Sequence, residues 1–181
     1  KKLRDLFALS SDYDTTDKAT QMFFAETQNK LLYAVKKKTA AEIIVSRADA
    51  NSPNMALTNW KGTKVRKQDI YIAKNYLTKD EIDTLNRLVV IFLETAELRI
   101  KERIDISMEF WTKNVDRLLE FNNKPLLASK GSISNKEMED KVSEMYHLFE
   151  DRRKKQEAIA DDKMELNELN ELEKKLKRRE K

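Results

Sequence analysis

Two glycines and two prolines are all that 181 residues contain, and this scarcity limits the fold more than any motif does. A sheet needs many turns, and tight turns draw on Gly and Pro for backbone conformations that other residues reach only at a cost. A chain with so few breakers folds as helices. The apolar fraction of 40% is enough for a core, whereas 38% charged residues exceeds the usual quarter and implies long helices facing solvent. The expected class is all-α, a helical bundle with a long, projecting carboxy-terminal helix. The length suits one domain with an extension: residues 1–125 as the helical core, and 126–181 as a loop and a long helix of coiled-coil character.

Cap signatures divide the chain into elements. A short helix is expected over 3–9, stopped by "SSDYDTTD", where Ser, Asp and Thr compete for backbone hydrogen bonds. A second runs over about 17–37, with Met22, Phe23, Leu31, Leu32 and Val35 on its buried side. Thr39 with Glu42, Thr78 with Glu81, and Ser134 with Glu137 each spell the capping box, a hydroxyl residue followed three positions later by Glu. They open helices over about 40–49, from 78 to about 104, and from 134 onward. Residues 50–67 read as loop, 69–76 as a short helix, and Ser107 as the cap of a helix reaching 121. The run "LVVIFL" is apolar all round and marks the central helix of the bundle. In the last helix, Ile159, Met164, Leu166, Leu169, Leu172 and Leu176 form a heptad-like series, with steps of three and four only from Leu166 onward, over too few heptads to settle a coiled coil. Two readings stand: a projecting helix that pairs through 134–181 with another copy, as a homo-oligomer, or with a partner; or a frayed, charged tail.

Much chemistry is excluded. Without cysteine there is no disulfide, no thiol catalysis and no cysteine-ligated zinc. The single histidine, His147, gives no triad and no histidine-rich metal site, and two isolated glycines make no phosphate loop. No metal and no cofactor is expected. No stretch approaches 18 consecutive apolar residues, so no membrane partner is expected either. Acid–base catalysis would fall to carboxylates, lysines or tyrosines, and the candidate catalytic residues are Glu42, Arg47, Asp49, Glu94 and Glu97. Arg47 follows Ile43 and Ile44 by four and three residues, which aims its stem at the apolar side of its helix. A half-buried guanidinium needs an acidic partner, and Glu94 and Glu97 are the expected ones, either as a clamp between helices or as a ligand site.

The charge is uneven. Between Gln28 and Lys74, ten basic residues oppose Glu42, Asp49 and Asp69, which leaves +7 of a total of +4, so the rest of the chain is −3. Such asymmetry points to a polyanionic partner. The stretch "NWKGTKVRKQD" and its continuation supply Trp60, Lys61, Lys64, Arg66, Lys67 and Lys74, a set able to neutralise phosphates of DNA or RNA while the indole stacks on a base. Trp60 is equally suited to pinning the loop onto the core.

The runs "LRDLFALSSDYD", "FFAETQNKLLYAV", "TAAEIIVSRADANSPNMALTNWKG", "VRKQDIYIAKNYLTKDEIDTLNRLV" and "FLETAEL", in that order, resemble the RhuM family of virulence-associated bacterial proteins. The resemblance covers roughly residues 3–100 and continues more loosely to about Phe149. It implies a cytoplasmic protein linked to mobile elements or restriction operons, preceded by a DNA-binding type of regulatory segment, and it brings no defined active site. Lys38 stands where members often have His, and Ala56 where they often have Gly. The expected function is a helical effector or regulatory module that binds a polyanion through 61–74. A carboxylate-dependent enzyme acting on nucleic acid and a structural protein-interaction domain are the alternatives.

Overall fold

The computed structural model describes residues 7–179, with side chains through 170. Among the described residues there are five α-helices and no strand: α1 Lys18–Lys36, α2 Ala40–Arg47, α3 Lys79–Lys101, α4 Met108–Phe121 and α5 Asn135–Arg179. The expected helix over 3–9 lies largely outside these residues. The fold is all-α, as the shortage of breakers requires.

Each helix starts where its cap signature places it. Asp17 accepts the amide of Thr20 at the head of α1, and Thr39–Glu42, Thr78–Glu81 and Ser134–Glu137 form reciprocal capping boxes. Ser107 caps α4 by accepting from the amide of Phe110. Four expectations change in detail. Helix α3 stops at Lys101 rather than near 104, because Arg103 turns left-handed and Ile104 N–H closes back on Arg99. Its apolar run is not buried all round, since Val90 stays 42% exposed, and in α1 Met22 faces solvent. Residues 69–76 form two 3-10 turns, Asp69–Tyr71 and Ala73–Tyr76, with Ile72 extended between them. The side chains of Asn75 and Tyr76 donate to the carbonyls of Asp69 and Ile70. Those acceptors are what an α-helix would have used.

Two apolar clusters hold the bundle. One gathers Ile43 and Ile44 of α2, Met55, Leu57, Val65, Ile70, Tyr76 and Leu77 of the connecting segment, and Met138, Val142 and Phe149 of α5. The other joins Phe7, ahead of α1, to Leu31, Phe92, Trp111, Val115 and Leu119 from α1, α3 and α4. Leu31 and Leu32 are adjacent in α1 and face different clusters, which makes that helix the wall between them. The first turns of α5 therefore belong to the core. From 154 to 170 every residue is exposed, so the helix runs on for roughly 25 Å at 1.5 Å per residue without covering any apolar surface.

The segment after α2 holds a rare conformation. Asn54, Met55 and Ala56 have φ of 54°, 55° and 59°, three consecutive left-handed residues without a glycine. Such a conformation costs roughly 1–2 kcal/mol for a residue with a Cβ. Complete burial of the Met55 side chain supplies the compensating contact. Replacing Ala56 by Gly should relieve part of this strain and raise stability by about 1 kcal/mol in urea unfolding; an unchanged or lower midpoint would place the strain elsewhere.

Candidate nucleic-acid interface

The helix termini nearest the basic segment meet at one carboxylate. Glu81 Oε2 accepts the amide of Thr78 at 2.9 Å, as its capping box demands, and Arg47 grips both oxygens, Nη1 on Oε2 at 2.6 Å and Nη2 on Oε1 at 2.7 Å. Lys36, the last residue of α1, reaches Oε1 at 2.8 Å. Arg47 Nη1 also donates to the carbonyl of Tyr76. One side chain thus ties the end of α1, the end of α2 and the start of α3. The Arg47 contacts hold the Glu81 carboxyl well below the usual carboxylate range, with Lys36 and the Thr78 amide adding to the effect. The expected partners, Glu94 and Glu97, lie exposed 13 and 16 residues further along α3, roughly 20 Å or more from Glu81 along the helix axis. Arg47 is therefore the clamp between helices, with Glu81 in the place assigned to Glu94 and Glu97.

Glu42 and Asp49 also have local duties. Glu42 closes the Thr39 capping box and takes two further bonds from Ser132, N–H and Oγ–H both at 2.7 Å, which fasten the loop before α5 to the start of α2. Those amides of Ser132 and Thr39 pull its carboxyl down to about 2. Gly131 is needed there, since at φ +87° a Cβ would lie 2.7 Å from Thr39 Cγ2. Asp49 folds back on Ser52 Oγ and the Asn51 amide. The five charges named as catalytic candidates are not brought together, and among the described residues no group of three His, Asp or Glu could hold a metal ion.

The basic candidates stand on a loop fixed from both sides. Thr58 and Asn59 donate their amides to the carbonyl of Asn75, and Thr58 Oγ1 bonds the carbonyls of Asn75 and Leu77. These bonds bring Lys61 and Lys74 onto neighbouring lengths of chain. Val65 and Ile70 are buried, and the half-buried Trp60 packs against the same core with its Nε1 enclosed and unbonded. The indole pins the loop. Arg66 is occupied by Asp69, which accepts both its Nε and its amide. Lys64 is occupied by Glu157 of α5 at 2.6 Å. Lys61, Lys67 and Lys74 are exposed and make no ion pair among the described residues.

Helix α5 passes along this loop, a contact that the sequence did not announce. Tyr146 Oη and Arg153 Nη1 both donate to the carbonyl of Val65, and Arg152 donates to the carbonyl and the Oδ1 of Asn51. A groove of ≈ 380 Å³ lies between α5 and the left-handed turn, lined by Asn51, Pro53, Asn54, Phe149, Arg152 and Gln156 among others. The only forewarning was that Arg152 and Arg153 interrupt the apolar spacing of Met145, Leu148 and Phe149.

The model of the virulence protein RhuM family matches residues 1–157. The chain belongs to the RhuM family. The family match ends at Glu157, the last residue of α5 with a hydrogen bond or ion pair to the body among the described residues. RhuM-family sequence therefore spans the clamp, the basic loop and the docked turns of α5, and the exposed run after 157 lies beyond it. No curated protein and no solved structure matches the chain. No helix among the described residues is long and apolar enough to cross a membrane.

If Arg47 and Glu81 act as one buried joint, at 22% and 12% side-chain exposure, their substitutions are coupled. In urea unfolding, Arg47→Met and Glu81→Gln should each destabilise, and the double variant should lose less than the sum by roughly 1–3 kcal/mol. Additive losses would mean that the contact carries no joint energy.

Proposed function

We propose that this RhuM-family chain is a helical nucleic-acid-binding module, an effector or regulatory part of a virulence-associated protein, which holds phosphate backbone through residues 61–74. The observation that carries this reading is the set of three unpaired, exposed lysines, Lys61, Lys67 and Lys74, on a loop whose backbone is fixed by buried Val65 and Ile70. A cation without a carboxylate partner gives up no internal bond when it meets a phosphate. The acidic residue inside the segment, Asp69, is buried and spent on Arg66, so it does not repel an incoming anion strongly.

Packing of the half-buried Trp60 ring against the core limits the stacking surface that a base-reading mode would use. Binding then rests on charge, with little preference for sequence and strong dependence on salt. The dispersed positions of Glu42, Arg47, Asp49, Glu94 and Glu97 favour binding over a carboxylate-dependent reaction.

For duplex DNA, three free lysines give a slope of log affinity against log salt of about −3, at about 0.9 per phosphate neutralised. Changing Lys61, Lys67 and Lys74 to Glu should bring that slope towards zero and weaken binding to all sequences alike, with the unfolding midpoint unchanged. An unchanged slope, or no salt-dependent binding by the native chain, would sink the proposal and leave a protein-interaction domain as the better reading.

A further inference from the structure

The loop that offers free lysines also has one that is already taken, and the group taking it comes from 93 residues away. Glu157 Oε1 sits 2.6 Å from Lys64 Nζ, the position that a phosphate oxygen would occupy. Its placement is not casual. Arg153, one turn earlier, lies 3.8 Å from the same oxygen through Nε while its Nη1 donates to the carbonyl of Val65, beside Lys64. The helix is therefore registered on the loop by Val65 and delivers a carboxylate to the next cation. Lys64 draws the Glu157 carboxyl below its ordinary range.

Glu157 opens an acidic stripe. On a helix, residues 157, 161, 165 and 168 fall within about 80° of one another, and here they are Glu157, Asp161, Glu165 and Glu168, all exposed. Negative charge thus recurs about once per turn along a rod with no apolar cover, which imitates a nucleic-acid strand. Lys64 and Glu157 are 60% and 46% exposed, and an ion pair that open to water is weak and exchangeable.

We propose that the acidic stripe of α5, led by Glu157, is an internal competitor for nucleic-acid phosphate that closes the Lys64 end of the basic loop until an external polyanion displaces it. This rests on the phosphate-binding reading of residues 61–74. It adds regulation to that site: whatever draws α5 away from the loop exposes a fourth lysine and removes the nearest negative charge.

The test titrates the full chain into a labelled DNA duplex of about 20 base pairs at low salt and follows fluorescence anisotropy. Glu157→Gln should bind about two- to fivefold more tightly than the native chain, the range that an exposed ion pair spans. Glu157→Gln with Asp161→Asn should bind more tightly still. In a Lys64→Gln background the gain from Glu157→Gln should vanish. A gain of equal size in that background would reduce the effect to net charge and overturn the proposal. Equal affinity of native chain and Glu157→Gln, in a protein whose binding is weakened by charge reversal at Lys61, Lys67 and Lys74, would also overturn it while leaving the phosphate-binding face intact. Absence of binding by both proteins overturns the two together.

Discussion

The carboxylate of Glu81 is the joint on which the rest of the structure depends. It accepts from Thr78 to start α3, from both terminal nitrogens of Arg47 to hold the end of α2, and from Lys36 to hold the end of α1. A largely buried guanidinium and a largely buried carboxylate are each costly alone. Together, with the Tyr76 carbonyl as a further acceptor, they convert that cost into a fixed angle between three helices. The polypeptide between α2 and α3 has only short 3-10 turns as regular structure, and this contact ties its two ends together.

Inside that span, the chain is held by many small constraints. Buried Met55 locks the left-handed turn, Thr58 clips the loop to the Asn75 and Leu77 carbonyls, and Asn75 and Tyr76 capture carbonyls that would otherwise build an α-helix. Trp60, Val65 and Ile70 point inward and leave the intervening lysines outward. A fixed backbone with exposed cationic tips suits a phosphate surface, because the charges need no ordering of the loop before they bind. Helix α5 completes the arrangement by packing Met138, Val142 and Phe149 into the same core and reaching the loop through Arg152, Arg153 and Glu157.

What was legible in the sequence was local. Each capping box is a contact between residues three apart, and all of them appear in the structure because a carboxylate has lone pairs enough to keep its local bond while accepting tertiary donors as well. The all-α class followed from the shortage of Gly and Pro. What could not be read was which distant groups meet. Arg47 plainly needed an acid, but Glu81 was already accounted for as a cap, and only three dimensions reveal that a capping carboxylate retains free lone pairs for a second role. The 3-10 turns at 69–76 replace an expected helix for a similar reason, since the pull of the Asn75 and Tyr76 side chains on nearby carbonyls depends on their burial. The contact of Glu157 with Lys64 leaves no periodic trace at all. In the candidate interface, the charges were found by composition, while their sorting into three free lysines and two occupied cations came from geometry.

In the proposed function, residues 61–74 are where a polyanion touches this RhuM-family chain. Hydrogen–deuterium exchange of the full chain with and without duplex DNA locates that contact directly. Slower exchange confined to peptides covering 61–74 and to the α5 turns beside them is the predicted result. Protection centred on α4 or on the Glu94–Glu97 face of α3, with 61–74 unchanged, would contradict it.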